Sequence, residues 1–153
     1  MSASNEKNYR PETRLVHAGT LRSQFNEMSE ALFLTQGYKY ESAEDCELRF
    51  SGKIPGYVYS RYSNPTMDMF EQRMAALEGA EAARSTATGM AAVTTALMGL
   101  VKAGDHVVAA KALFGSCRWV VEEWLPRFGV PCTLVDGKDL NAWKAAVTKD
   151  TKV

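Results

Sequence analysis

Cysteine and histidine are scarce in this 153-residue chain. The three cysteines, Cys46, Cys117 and Cys132, form no CxxC pair and no Cys/His cluster. The two histidines, His17 and His106, have no second ligand at metal spacing, so no metal site is expected and each reads as a packed or hydrogen-bonded side chain. Net charge is also missing. Lys plus Arg balance Asp plus Glu at 18 each, and no basic run stands out. That removes the electrostatic footprint of a nucleic-acid binder or a membrane-surface helix. No apolar run reaches transmembrane length, and the start "MSASNEKNYRPETR" lacks the apolar core of a secretory signal. An odd number of cysteines without such a signal points to free thiols in a reducing, cytoplasmic setting. Internal repeats and low-complexity tracts are absent as well.

What is present is a globular composition, 46% hydrophobic and 24% charged. Residues 1 to about 14 are polar, and are expected to be frayed or docked on another body. Residues 15–63 show little periodicity. "ALFLTQGYKY" is strand-like through Phe33, Tyr38 and Tyr40. "ESAEDCELRF" reads as a short helix opened by Ser42, with Asp45 three residues on as a capping-box variant. "SGKIPGYV" is turn-rich. Residues 1–63 therefore read as an arm that packs against something else.

From residue 64 the pattern changes. Asn64-Pro65 is an N-cap followed by proline at the first helical position. Met67, Phe70, Met74 and Leu77 recur at helical spacing, and Gly79 closes the helix. "EAARSTA" reads as a short strand. "TGMAAVTTALMGLV" is apolar almost all round, as a buried helix is, and "HVVAA" is a continuous apolar strand. "GSCRWVVEEWLPRFG" reads as a helix with Trp119, Val120 and Trp124 on its buried stripe. "VPCTLVD" is a strand, "LNAWKAAV" a helix, and "TKV" the start of another strand. Strands alternating with helices predict an α/β fold with a mainly parallel sheet flanked by helices. An ending on Val153, at the start of a strand, suggests a truncated polypeptide. Trp119, Trp124 and Trp143 read as core residues, and Met67, Met69 and Met74 as packing.

Three places can carry chemistry. At "STATGMAA" a strand runs through Thr88-Gly89-Met90 into a helix. Its first amides lack intrahelical acceptors, and the helix dipole adds positive charge there. Gly89 and Met90 thus mark either a phosphate seat or a plain capped connection. In "YSRYSNPT", Arg61 offers a guanidinium fork suited to phosphate, and Tyr59, two residues earlier, would point the same way in an extended segment. The alternative is a surface Tyr/Arg pair. Phe114 follows "HVVAAKAL", beyond the carboxyl end of a strand, where an aromatic either stacks on a planar ligand or fills the core.

"YSRYSNPT", "TGMAA" and "LFGS", in that order and spacing, together with "TRLVHAG" at Thr13–Gly19, resemble the Cys/Met-metabolism branch of the pyridoxal-5′-phosphate (PLP) enzymes of the aspartate-aminotransferase fold. The resemblance implies that residues 64–153 are the first part of a PLP-binding large domain and that residues 1–63 are an arm contacting a second subunit. It implies that Gly89 and Met90 give backbone amides to the PLP phosphate, that Tyr59 and Arg61 reach the phosphate of the neighbouring subunit, and that Phe114 stacks on the pyridine ring. It also implies homotetramers built from catalytic dimers. Many members have tyrosine at the Phe114 position, and methionine γ-lyases have cysteine where this chain has Ser116. "ALFLTQGYKY" with "LFGSCRW" is most similar to the O-succinylhomoserine sulfhydrylases, which replace succinate by sulfide to give homocysteine. Cystathionine γ-synthase and methionine γ-lyase chemistry are the alternatives, with a non-catalytic assembly module if the natural chain ends at Val153. In this family the lysine that carries PLP lies downstream. Lys111 and Lys152 therefore read as structural or solvated, Asp136 and Asp139 as helix caps, and the 153 residues alone as catalytically inactive.

Overall fold

The computed structural model describes residues 9–153; the expectation for the first eight residues of the arm lies outside them. The chain forms two compact units, Met1–Ser85 and Thr86–Val153. In the first, α1 (Pro11–His17), α2 (Ala43–Phe50) and α3 (Pro65–Glu78) are joined by long irregular segments. α1 packs on α3, burying Ala18 and Met69. The "TRLVHAG" motif has a physical basis here. Gly19 sits at φ +71, and a Cβ on it would stand 2.8 Å from both the Gln72 Cβ and the Met69 carbonyl. Only glycine fits that backbone beside α3. Arg73 then fastens the turn, donating to the carbonyls of Ala18 and Val16 and pairing with Glu30.

The cap signals are realised. Asn64 Oδ1 accepts from the Thr66 amide at 2.9 Å, and Gly79 ends α3 in the left-handed conformation. Ser42 caps α2 by accepting from Asp45 N–H, while the Asp45 carboxylate accepts from Glu41 N–H rather than from the cap residue itself. "ALFLTQGYKY" is not a strand. It makes a single antiparallel bridge, Gly37 to Tyr59. Side chains hold it instead: Asn64 Nδ2 donates to the Phe33 carbonyl, Thr66 Oγ1 accepts from Phe33 N–H, and Ser60 Oγ donates to the Thr35 carbonyl. "EAARSTA" is no strand either, because among the described residues it has no neighbouring strand to pair with. On α3, Pro65 and Met69 are buried, while Met67 and Phe70 are exposed.

Glu71 anchors the end of this unit. Its Oε1 accepts from both the amide and the hydroxyl of Ser85 at 2.8 Å, and Oε2 accepts from Arg84 at 2.7 Å. Burial pushes the carboxyl's pKa up, but the Ser85 and Arg84 bonds outweigh that and hold it below the usual range. A depressed carboxyl pKa stabilises the fold above the unfolded value of about 4.3 and loses that contribution as pH falls through the folded value. Glu71→Gln is therefore expected to be less stable than the parent by about 1 kcal/mol at pH 7. The difference should shrink towards pH 3, and urea unfolding at both pH values measures it. An equal deficit at both would show that the ionised carboxylate is not what matters.

The second unit is α/β. Helix α4 (Gly89–Leu100) leads to β1 (Val107–Ala110), and α5 (Gly115–Trp119) leads to β2 (Cys132–Val135), followed by α6 (Leu140–Ala146). β1 and β2 are parallel, with Val107 opposite Cys132 and Ala110 opposite Val135. On β1's other edge, "TKV" begins a parallel pairing: His106 bridges Thr151, and Val108 N–H donates to the Val153 carbonyl at 2.9 Å. Val107, Val120, Val121, Leu125 and Val130 form the core. The segment "GSCRWVVEEWLPRFG" does not stay α-helical. It widens into a π-helical turn at Val120–Trp124 and tightens into a 3-10 turn at Leu125–Phe128. Pro126 lacks an N–H and its ring obstructs an α-helical path, which accounts for the change. The altered phase turns Val120, Val121 and Leu125 inward and leaves Trp119 half exposed under the Arg127 guanidinium. α4 also departs from expectation. Met90 and Leu97 lean on the core, but no residue of α4 is buried, since the described sheet meets only one of its faces.

Candidate functional site

Thr88 organises the start of α4. Its Oγ1 accepts from Ala91 N–H at 3.0 Å, and its carbonyl accepts from Ala92 N–H. The amides of Gly89 and Met90 come before these, and among the described residues no side chain accepts from them. A Cβ built on Gly89 meets nothing within 4 Å, so the space beside Gly89 is open. The arrangement is two free N–H donors at the positive end of a 12-residue helix, which suits a phosphate.

Beside this terminus lies a mainly apolar cleft of about 320 Å³ lined by Met90, Thr94, Ser116, Trp119, Val120 and Trp124. Met90 belongs to both the terminus and the cleft. Phe114, two residues before Ser116, precedes α5 and is 73% exposed. It is therefore no core residue, and its ring is available for stacking. Amides with no side-chain acceptor, open space beside Gly89 and an exposed ring suit a ligand with an anionic end and a flat aromatic end.

Tyr59 and Arg61 come together, though not by strand alternation. Residues 59–63 form a turn in which the amides of Tyr62 and Ser63 both donate to the Tyr59 carbonyl. The Arg61 guanidinium carbon stands 5.0 Å from the Tyr59 ring centroid and 5.6 Å from that of Tyr62. Gln36 Nε2 donates to the Tyr59 hydroxyl at 2.6 Å, leaving the phenol its own proton to give. Arg49, Arg73, Arg84 and Arg118 are each paired to a carboxylate. Among the described residues Arg61 has no such acceptor, so its N–H edges are uncommitted. Gln36 and Tyr62 were not singled out from the sequence. The quoted "YSRYSNPT" contains Tyr62, and the turn-forming proximity of 59 to 62 was the available signal.

The remaining polar candidates have local partners or lie exposed. Asp139 Oδ1 caps α6 by accepting from the amides of Asn141 and Ala142, and Asp136 accepts from Lys138 N–H. His106 bridges hydroxyls with both ring nitrogens, Thr151 at 2.8 Å and Thr133 at 2.9 Å. Lys111 and Lys152 have exposed side chains on backbone bonded into the sheet region. Among the described residues no group of His, Cys, Asp and Glu could hold a metal ion, and no helix is long and apolar enough to cross a membrane.

The chain is 53% identical over 137 residues to an O-succinylhomoserine sulfhydrylase of Mycobacterium tuberculosis, covering 90% of this chain and 34% of that protein. It is 39% identical over 147 residues to an L-methionine γ-lyase of Fusobacterium nucleatum, covering 96% and 37%. A crystal structure described as an O-acetylhomoserine (thiol)-lyase of Campylobacter jejuni, containing N'-pyridoxyl-lysine-5'-monophosphate, superposes with a TM-score of 0.88 at 29% identity, covering 94% of this chain and 36% of that one. The chain thus spans about a third of the length of the curated relatives it matches. The family pattern of Cys/Met metabolism PLP-dependent enzymes matches residues 12–153, and the chain belongs to that family.

Proposed function

We propose that the protein to which these residues belong catalyses γ-replacement on O-succinylhomoserine, exchanging succinate for sulfide to give homocysteine. The open amides of Gly89 and Met90 carry the cofactor half of this reading. The 53% identity to an O-succinylhomoserine sulfhydrylase supports the substrate half. Gly89 and Met90 would donate to the PLP phosphate, and Tyr59 and Arg61 to the phosphate of a neighbouring subunit. Phe114 would cover one face of the pyridine ring. When bound, PLP supplies the electron sink for bond breaking next to the amino group. Phe114 has no hydroxyl, so it can orient the ring but cannot hold a proton, and proton transfer falls to other groups. Residues 1–63 serve as the inter-subunit arm, residues 64–153 as the first part of the large domain, and the assembly is a homotetramer of catalytic dimers in the cytoplasm.

None of the chain's lysines is assigned the cofactor-bearing role, so the 153 residues alone are expected to form no homocysteine. The test is product analysis of the complete enzyme and of the 153-residue chain, both with PLP. Each receives O-succinylhomoserine with sulfide, O-succinylhomoserine with cysteine, or methionine alone. Homocysteine from the first mixture, by the complete enzyme only, is expected. Preferred formation of cystathionine, or of methanethiol from methionine, would overturn the substrate assignment. Turnover by the 153 residues would overturn the lysine assignment.

A further inference from the structure

Three tyrosines stand between Gly56 and Asn64, and the phosphate reading uses one of them. Tyr57 is already committed. Its hydroxyl donates to Asp68 at 2.9 Å, and its ring stacks on Tyr38 with centroids 5.4 Å apart. Tyr62 has neither kind of anchor. It is 68% exposed. Its one described side-chain contact of note is with the Arg61 guanidinium.

That contact has a particular chemical quality. A guanidinium drawn to ring faces spends none of its N–H groups, whereas one paired to a carboxylate spends one or two. Rings therefore locate the cation and leave its fork free for an incoming anion. An unheld arginine on an exposed turn would have to give up its rotamer freedom when it met a phosphate, and prior placement removes that cost. The turn that carries Tyr62 back towards Tyr59 puts two rings within cation–π range of one guanidinium.

We propose that Tyr62 is a positioning residue of the phosphate clamp, its ring holding the Arg61 guanidinium in place together with that of Tyr59 before the phosphate arrives. This rests on the reading of Arg61 as a PLP-phosphate ligand given above. In the complete enzyme, Tyr62→Leu is expected to raise the PLP dissociation constant about two- to fivefold, the range of one exposed cation–π contact. The thermal midpoint of the apoenzyme should be unchanged. Tyr62→Phe keeps the ring and should restore the parent affinity. In an Arg61→Ala background, Tyr62→Leu should add nothing, because the ring acts through the guanidinium. If Tyr62→Phe binds PLP as weakly as Tyr62→Leu, or if Tyr62→Leu has the same effect without Arg61, the proposal is wrong while the clamp stands. Unchanged PLP affinity in Arg61→Ala alone overturns the clamp itself and the proposal with it.

Discussion

Arg61→Ala in the complete enzyme is expected to raise the PLP dissociation constant by about 10- to 100-fold. Hydrogen bonds to charged groups contribute about 1.5–3 kcal/mol each, and every 1.4 kcal/mol is a factor of ten. A net loss of about one such bond gives that range. The same change should leave folding almost untouched. Arg61 is exposed, and among the described residues it donates no hydrogen bond that its loss would leave unmatched. Arg118→Ala is the control. It removes an equal charge, but one on α5 that is paired at 2.8 Å to Glu122 of the following π-helical turn. That variant should retain PLP as the parent does. Fluorescence titration of the two apoenzymes with PLP separates the cases. Equal affinities would remove the role in phosphate binding assigned to Arg61.

That selectivity follows from how the site is built, and the sequence showed part of the construction. Helix caps were legible because they depend on neighbours within three residues. Asn64, Thr88 and Asp139 each accept the amide bonds their positions imply. The parallel strands were legible too, since β1 is an unbroken apolar run with Val107 and Val108 buried. Arg61 could be picked out by type, but its reason for standing clear of carboxylates could not, because that depends on a turn bringing Tyr62 back to Tyr59. The strand expected in "ALFLTQGYKY" failed for a similar reason. β-forming residues need a partner edge, and here hydroxyl and amide side chains from residues 60–66 take its place. The segment before Thr88 is likewise fixed by a carboxylate fourteen positions back, Glu71, which no local pattern announces.

Leu125→Ala is the substitution expected to cost most stability. Its side chain is fully buried, at 0% exposure, among Val107, Val120, Val121 and Val130. Deleting its branched end removes transfer free energy and leaves a cavity, together worth about 2–5 kcal/mol. The upper part of that range applies where neighbours cannot collapse inward. Leu125 begins the 3-10 turn immediately before Pro126, and its carbonyl accepts from both Gly129 N–H and Val130 N–H. The backbone is therefore held on both sides of the gap. Trp124→Ala is a useful contrast, because that ring is not fully buried and packs edge-on against Phe128 at 5.0 Å. It should disturb the cleft beside Met90 more than the core. Thermal unfolding should show the larger drop for Leu125→Ala, and PLP titration should show the larger loss per degree for Trp124→Ala. The opposite order would mean that the cleft, rather than the valine cluster, is what holds β1 against the segment carrying Phe114 and Ser116.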